Sequence, residues 1–206
     1  MTSIITGDII NSRKAGQPRV WLDVLKAELN QVGQEPKVWE IYRGDSFQVE
    51  VQEVADALKI AIKLKAAIKT VKGLDVRMAI GIGEKSFEAP KITEANGDAF
   101  VRSGRLFEQL KKDTLAISSP WPDVDAQLNL MLDLALLTMD NWTQNSAEIV
   151  KLSLELPEAT QTELANKLGI TQGRISDRQK RAGYDAIMRL EKHYCHLIHA
   201  ILPPTS

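Results

Sequence analysis

Two aspartates that each follow a glycine are the residues best placed to do chemistry: Asp8 in Ile4-Ile5-Thr6-Gly7-Asp8-Ile9-Ile10, and Asp45 in Ile41-Tyr42-Arg43-Gly44-Asp45-Ser46-Phe47. Apolar, strand-like residues flank both, and a carboxylate at a strand end or hairpin tip is held rigidly. Two such acids converging can grip a divalent cation, Mg²⁺ or Mn²⁺, and an ion shared between them would make the first half of the chain a phosphate-handling site. Gly44-Asp45 lies between Trp39-Glu40-Ile41-Tyr42 and Phe47-Gln48-Val49-Glu50-Val51, which predicts a tight hairpin with its acid at the turn. Aspartate also suits turns for its own sake, so a lone Gly-Asp pair does not establish a metal site.

A second constellation runs from Thr160 to Ser176: Thr-Gln-Thr-Glu-Leu-Ala-Asn-Lys-Leu-Gly-Ile-Thr-Gln-Gly-Arg-Ile-Ser. Thr160 with Glu163 forms a capping box, and Ala165 is small where two helices must approach. Gly169 falls at the turn, where a left-handed backbone is wanted. Ile170 and Ile175 supply the apolar hinge, and Thr171 can cap the second helix. That helix then offers Gln172, Arg174, Arg178, Lys180 and Arg181, side chains suited to base edges and phosphates in a major groove. The pattern resembles helix-turn-helix DNA-binding domains over residues 146–195, although Arg178 stands where short versions of the motif are more often apolar. An αα-hairpin packing on a partner protein is the competing reading of the same residues.

The elements that must position these residues follow from hydrophobic period and punctuation. Residues 2–10 predict a buried strand, and 18–32 a helix ended by Gly33. The hairpin follows at 38–51, a long helix at 54–71 and a strand at 74–82. Another helix at 97–110 leads to a short strand at 115–118. The order β, α, β-hairpin, α, β, α, β matches a ferredoxin-like or palm-type sheet with helices packed on one face. After Pro120-Trp121-Pro122 the pattern becomes all-helical, which places a domain boundary near 120. The expected organisation is an α/β domain over 1–120, a connecting helix over 121–145 and a helical domain over 146–206, an α+β chain overall. The helix from Asp185 to His199 either closes the helical core or forms the seam of a homodimer. Residues 203–206 read as a frayed tail.

Composition narrows the class. With 206 residues, 44% apolar and 26% charged, the chain is ordinary for a globular protein. A formal net charge of −1 gives no global pull toward nucleic acid or anionic membrane, so such binding needs a local patch. The single cysteine, Cys195, excludes an internal disulfide, and its neighbours His193 and His196 read as helix surface rather than a metal cluster. Met1 to Ile10 read as a strand, not a leader, and the longest apolar run, 128–139, is broken by Asn129 and Asp133. A cytoplasmic protein with no membrane span is expected.

Asp8-Ile9-Ile10, Gly44-Asp45-Ser46-Phe47, the run from Val76 to Glu84, and Gly97-Asp98-Ala99-Phe100 through Arg105-Leu106 resemble class III nucleotidyl cyclases in order and spacing. Gly44-Asp45 in a hairpin is also similar to the signature of diguanylate cyclases and other palm domains. The resemblance covers about the first 118 residues. It implies a nucleotide ligand, divalent ions on Asp8, Asp45 and the carbonyl of Ile9, and nucleotide contacts from Gly44, Glu94 and Arg105. Arg105 would be the catalytic arginine if the protein is an active enzyme. The departures are Val101, where the family places an asparagine, and Ile41, where it places a base-selecting lysine. Losing a transition-state donor costs roughly 3 kcal/mol, so binding survives such changes better than turnover does.

The whole chain is identified as similar to the SatD family through its opening Ile-Thr-Gly-Asp-Ile-Ile-Asn-Ser-Arg, the Tyr-Arg-Gly-Asp-Ser-Phe-Gln hairpin and Asn141-Trp142-Thr143. The expected function is a DNA-binding regulator whose cyclase-like half senses a nucleotide or metal. An active metal-dependent nucleotidyl cyclase or transferase with an accessory helical domain is the alternative.

Overall fold

Isoleucines at successive positions, Ile4-Ile5 and Ile9-Ile10, cannot all face one side of a pleated strand, so a strand built from them must be covered on both faces. The computed structural model, which describes residues 1–14 and 16–202, makes this segment the central strand, β1 (Thr2–Ile10). The tail expected at 203–206 lies outside the described residues. β1 pairs antiparallel with β3 (Ser46–Val51) on one side and with β4 (Asp75–Gly83) on the other. β2 (Trp39–Tyr42) extends the sheet beyond β3, and β5 (Leu115–Ser118) runs parallel to β4, giving the order β2-β3-β1-β4-β5.

Helices cover both faces of this sheet, which corrects the expectation of one covered face. Ile5 and Ile9 join the larger apolar cluster with Trp21, Leu25 and Leu29 of α1 (Pro18–Val32) and with Leu58 and Ile62 of α2 (Ala57–Lys69). Ile4 points the other way, into a second cluster with Ala99 and Phe100 of α3 (Asp98–Gln109). The reason α3 fits so closely is glycine in β4. A Cβ at Gly81 would lie 2.3 Å from both the Ala99 carbonyl oxygen and the Ser103 nitrogen. The Thr6 hydroxyl donates to Ser103 Oγ at 3.0 Å across the same contact.

The helical half contains α4 (Pro122–Met139), α5 (Gln144–Glu155), α6 (Gln161–Leu168), α7 (Gln172–Arg181) and α8 (Tyr184–Ile201). The change of pattern near 120 marks a change of architecture but not a gap in the core. One apolar cluster runs from the sheet through α2 into Leu128 and Leu132 of α4, Ile149 and Val150 of α5, and Ile187 and Ile198 of α8. α8 closes this core within its own chain: Tyr194 is fully buried and its hydroxyl donates to the Val54 carbonyl at 2.7 Å. No described helix is long and apolar enough to cross a membrane.

The two halves are also joined by buried charge. Lys65 of α2 is fully buried, and its ammonium meets Asp75 of β4 at 2.8 Å, Asp140 beyond α4 at 2.7 Å and the Thr114 hydroxyl at 2.9 Å. Lys69, one turn later, reaches Asp75 at 2.9 Å and donates to the Asp140 carbonyl at 2.7 Å. On the other side of α2, buried Glu28 of α1 lies 3.2 Å from Lys63 and 3.1 Å from Lys151 of α5.

Lys65→Met keeps most of the volume and leaves Asp75 with Lys69, but removes the ammonium from half-buried Asp140 and from the Thr114 hydroxyl, so it should cost about 1–3 kcal/mol in denaturant unfolding. A loss below about 1 kcal/mol would show that the network is dispensable. Gly81→Ala should cost at least 1–3 kcal/mol, because backbone rather than a flexible side chain blocks the new methyl.

Candidate functional site

The sheet end that carries the two aspartates does not bring them to one point. Asp8 lies opposite Arg77 of β4 in the strand register, so both side chains leave the sheet on the α3 face. Arg77 grips Asp8 with two bonds, Nε to Oδ1 at 3.2 Å and Nη2 to Oδ2 at 2.8 Å. Its third nitrogen donates to the Leu110 carbonyl at 2.9 Å, and the guanidinium stacks 4.7 Å from the centre of the Phe107 ring. This bidentate, stacked geometry gives a carboxylate its strongest protein partner.

Asp45 sits one position earlier than Ser46, the residue opposite Asp8, and its carbonyl accepts from the Ile9 amide at 3.1 Å. Alternation turns it toward the α1 side, where its carboxylate accepts from the Ser12 hydroxyl and borders a cavity shared with Trp21. Among the described residues no group of three or more His, Cys, Asp or Glu side chains is arranged to hold a metal ion. The donor set does not fit an ion shared by Asp8, the Ile9 carbonyl and Asp45. Burial pushes the Tyr42 phenol above its ordinary value, with Arg43 opposing the rise and Asp8 adding to it.

The three residues expected to touch a nucleotide fall in three places. Gly44, with φ of +89°, is at the hairpin tip beside Asp45. Arg105 is exposed on α3 and borders a separate cavity with Asp98, Val101 and Arg102. Glu94 is exposed at the end of a 3₁₀ turn over Ile92–Glu94 and lines neither cavity.

The second constellation is assembled locally. Thr160 Oγ1 caps α6 by accepting from the Glu163 amide at 3.3 Å, and Glu163 accepts from the Thr160 amide at 2.7 Å. That backbone bond foremost, with the Thr160 hydroxyl donating to Glu163 Oε2 at 2.9 Å, holds the exposed Glu163 carboxyl below its ordinary value. Gly169 ends α6 with φ of 64° and ψ of 33°, the left-handed conformation that lets the chain reverse, and Thr171 caps α7 by accepting from the Arg174 amide. Ile175, fully buried, anchors α7 to the core. Gln172, Arg174, Lys180 and Arg181 are all exposed along α7, and Arg174 and Lys180 make no ion pair with a described residue. Gln172 bonds to Gln161 of α6, while Arg181 Nε donates to the Asp177 carbonyl at 3.2 Å, and the rest of its guanidinium has no partner among the described residues.

Arg178 has a different position from the one its sequence context implies. It is turned inward, 18% exposed, with Nη1 2.7 Å from Glu148 of α5. The ion pair replaces the apolar contact that this helix position more often makes. Glu148 and Arg77 had no readable role in the sequence, because each acquires its partner only when strands or helices distant in sequence are packed. Arg77 stands out only as the one cation of a strand that begins with Asp75 and is apolar or glycine from Met78 to Gly83.

The molecule is therefore an α+β protein, a mixed five-stranded sheet joined to a helical half. A model of the SatD family matches residues 3–198, and the chain belongs to that family. No curated protein matches it.

Because Arg178 and Glu148 brace α7 on α5, Arg178→Ala should lower stability by about 1–3 kcal/mol, whereas Arg174→Ala should change it by less than about 0.5 kcal/mol. Thermal unfolding of both, with Glu148→Ala to close a double-mutant cycle, checks the difference.

Proposed function

We propose that this protein is a DNA-binding regulator whose α6–α7 unit is a helix-turn-helix, with α7 as the helix that enters the major groove. The observation that carries this reading is the exposed polar face of α7. Gln172, Arg174, Lys180 and Arg181 point outward from a helix fixed by Ile175, by the Thr171 cap and by the Arg178–Glu148 pair. On a chain of net charge −1, such a face supplies the local positive patch that binding to phosphates requires. Gln172 and Arg174, in the first turn, are assigned to base edges, and Lys180 and Arg181 to the phosphate backbone. Thr171 lies at the same end and is within reach of the backbone as well. Arg178 supports the helix rather than the DNA.

In this reading the sheet half is a ligand-binding module of ferredoxin-like strand order rather than a catalyst. Its split crossovers support the comparison: β1 and β2 run parallel with β3 between them, and β3 and β4 run parallel with β1 between them. Turnover as a nucleotidyl cyclase is disfavoured by Arg77 holding Asp8, and by the apolar Val101 and Ile41 at positions where polar roles are needed. A ligand would act on DNA binding by favouring one arrangement of the shared core over another.

The test is selection of DNA from a random-sequence pool, followed by mobility shifts across a salt series. Arg174→Ala should weaken the selected site by about 1–3 kcal/mol and relax its sequence preference. Lys180→Ala should weaken all sequences similarly and reduce the salt slope by about one. If the wild-type protein retains no DNA at low salt, the exposed face of α7 serves a protein partner and this reading fails.

A further inference from the structure

α4 is apolar on two sides. Leu128, Leu132, Leu136 and Met139 bury one side in the core, while Leu130, Leu134 and Leu137 stand on the other, 63%, 64% and 72% exposed. A single exposed leucine needs no explanation. Three at helical spacing make a continuous apolar stripe, and a helix that is apolar all round is one that is covered all round. The other large apolar side chains exposed among the described residues, Met1, Val20, Phe87 and Val101, lie one to a segment.

The two borders of the stripe carry opposite charge. α8 runs along one border, antiparallel to α4: Gln127 Nε2 is 3.3 Å from His193 Nε2, and a Cβ on Gly183 would come 3.1 Å from Thr138 Cγ2. That pairing sets Arg189 of α8 level with Met131 and Leu132, within a turn of Asp133. At 3.6 residues per turn, Asp133 falls on the other border, away from α8. Asp133 and Arg189 are both exposed, and neither pairs with an opposite charge among the described residues. α4 itself holds Asp123, Asp125 and Asp133 but no lysine or arginine, which makes an anionic membrane surface the wrong cover for it.

Symmetry selects an occupant that answers both borders. Laying the stripe on a second copy about a two-fold axis along α4 exchanges the borders, so Asp133 of each copy comes to Arg189 of the other at the same height. A two-fold axis across α4 would set Asp133 against Asp133 and α8 against α8, like charge against like. We propose that α4 is the seam of a homodimer, in which two copies pack their Leu130–Leu134–Leu137 stripes in parallel with an Asp133–Arg189 pair along each border. The leucines alternate at four and three residues, the spacing of a two-helix seam, so that like leucines meet in layers. α4 is about 27 Å long and α8 widens the face to roughly 20 Å, on the scale of the ~800 Å² per partner that a stable interface buries. α8 is not the seam, because Tyr194 and Ile198 are spent on the core of their own chain.

The experiment is sedimentation velocity of the full chain from low micromolar to near-millimolar concentration, without DNA. The wild type should sediment as a dimer. Leu134→Lys and Leu137→Lys, at positions exposed in the single chain, should sediment as monomers with an unchanged circular dichroism spectrum. Asp133→Arg and Arg189→Asp should each weaken the dimer about tenfold, since each change acts twice in a symmetric pair, and the two together should restore it. Leu130→Cys and Leu137→Cys, each in a Cys195→Ser background, should both cross-link to themselves on mild oxidation, which only a parallel seam allows. A wild type that stays monomeric at the highest concentration overturns the proposal and leaves α4 to a different protein. A dimer indifferent to the leucine substitutions, or cross-linking at only one of the two cysteines, overturns it as well. Because no DNA is present, the outcome is independent of the helix-turn-helix reading.

Discussion

A fully buried ammonium cannot be left without anionic partners, and this requirement at Lys65 ties the protein together. Its partners come from three elements: Asp75 starts β4, Thr114 precedes β5, and Asp140 follows α4. Moving any of these would strand a charge in a medium that solvates it poorly. Lys69 doubles the constraint by holding the second oxygen of Asp75 and the backbone of Asp140. The sheet half and the helical half are thus locked at the point where α4 hands over to α5. Apolar packing along α2 supplies most of the gross stabilisation, but it is non-directional and would tolerate sliding. The charge network is directional, joining α2 to the start of β4 and to the end of α4 at fixed points.

The consequence reaches α7. α5 packs on α2, and α7 is braced on α5 through Ile175 in the core and the Arg178–Glu148 pair. On the opposite flank, the buried Glu28 carboxylate of α1 pairs with Lys63 of α2 and Lys151 of α5, so one side chain ties the three helices together.

The two acids at the sheet end take different partners. Arg77 occupies Asp8 from the α3 side, while Asp45 turns to the α1 side with Ser12. A one-position offset between opposed strands suffices, because successive residues on a strand point to opposite faces.

Much of the architecture was legible in the chain itself. The helix 18–32 ends at Gly33 as expected, the hairpin sits at Gly44, and Thr160, Glu163, Gly169 and Thr171 make the caps and the turn that their types imply. These are local effects: they depend on φ, on hydrogen bonds a few residues apart and on apolar period. Three things were decided only by tertiary structure. The sheet is covered on both faces because Gly81 admits α3. Arg178 is a brace because Glu148 stands 30 residues away in sequence and adjacent in space. Asp8 and Asp45 part because strand register, not residue type, decides which face each acid takes. Local rules shape elements one at a time, whereas a charge's partner is whatever the packed fold places within reach of it.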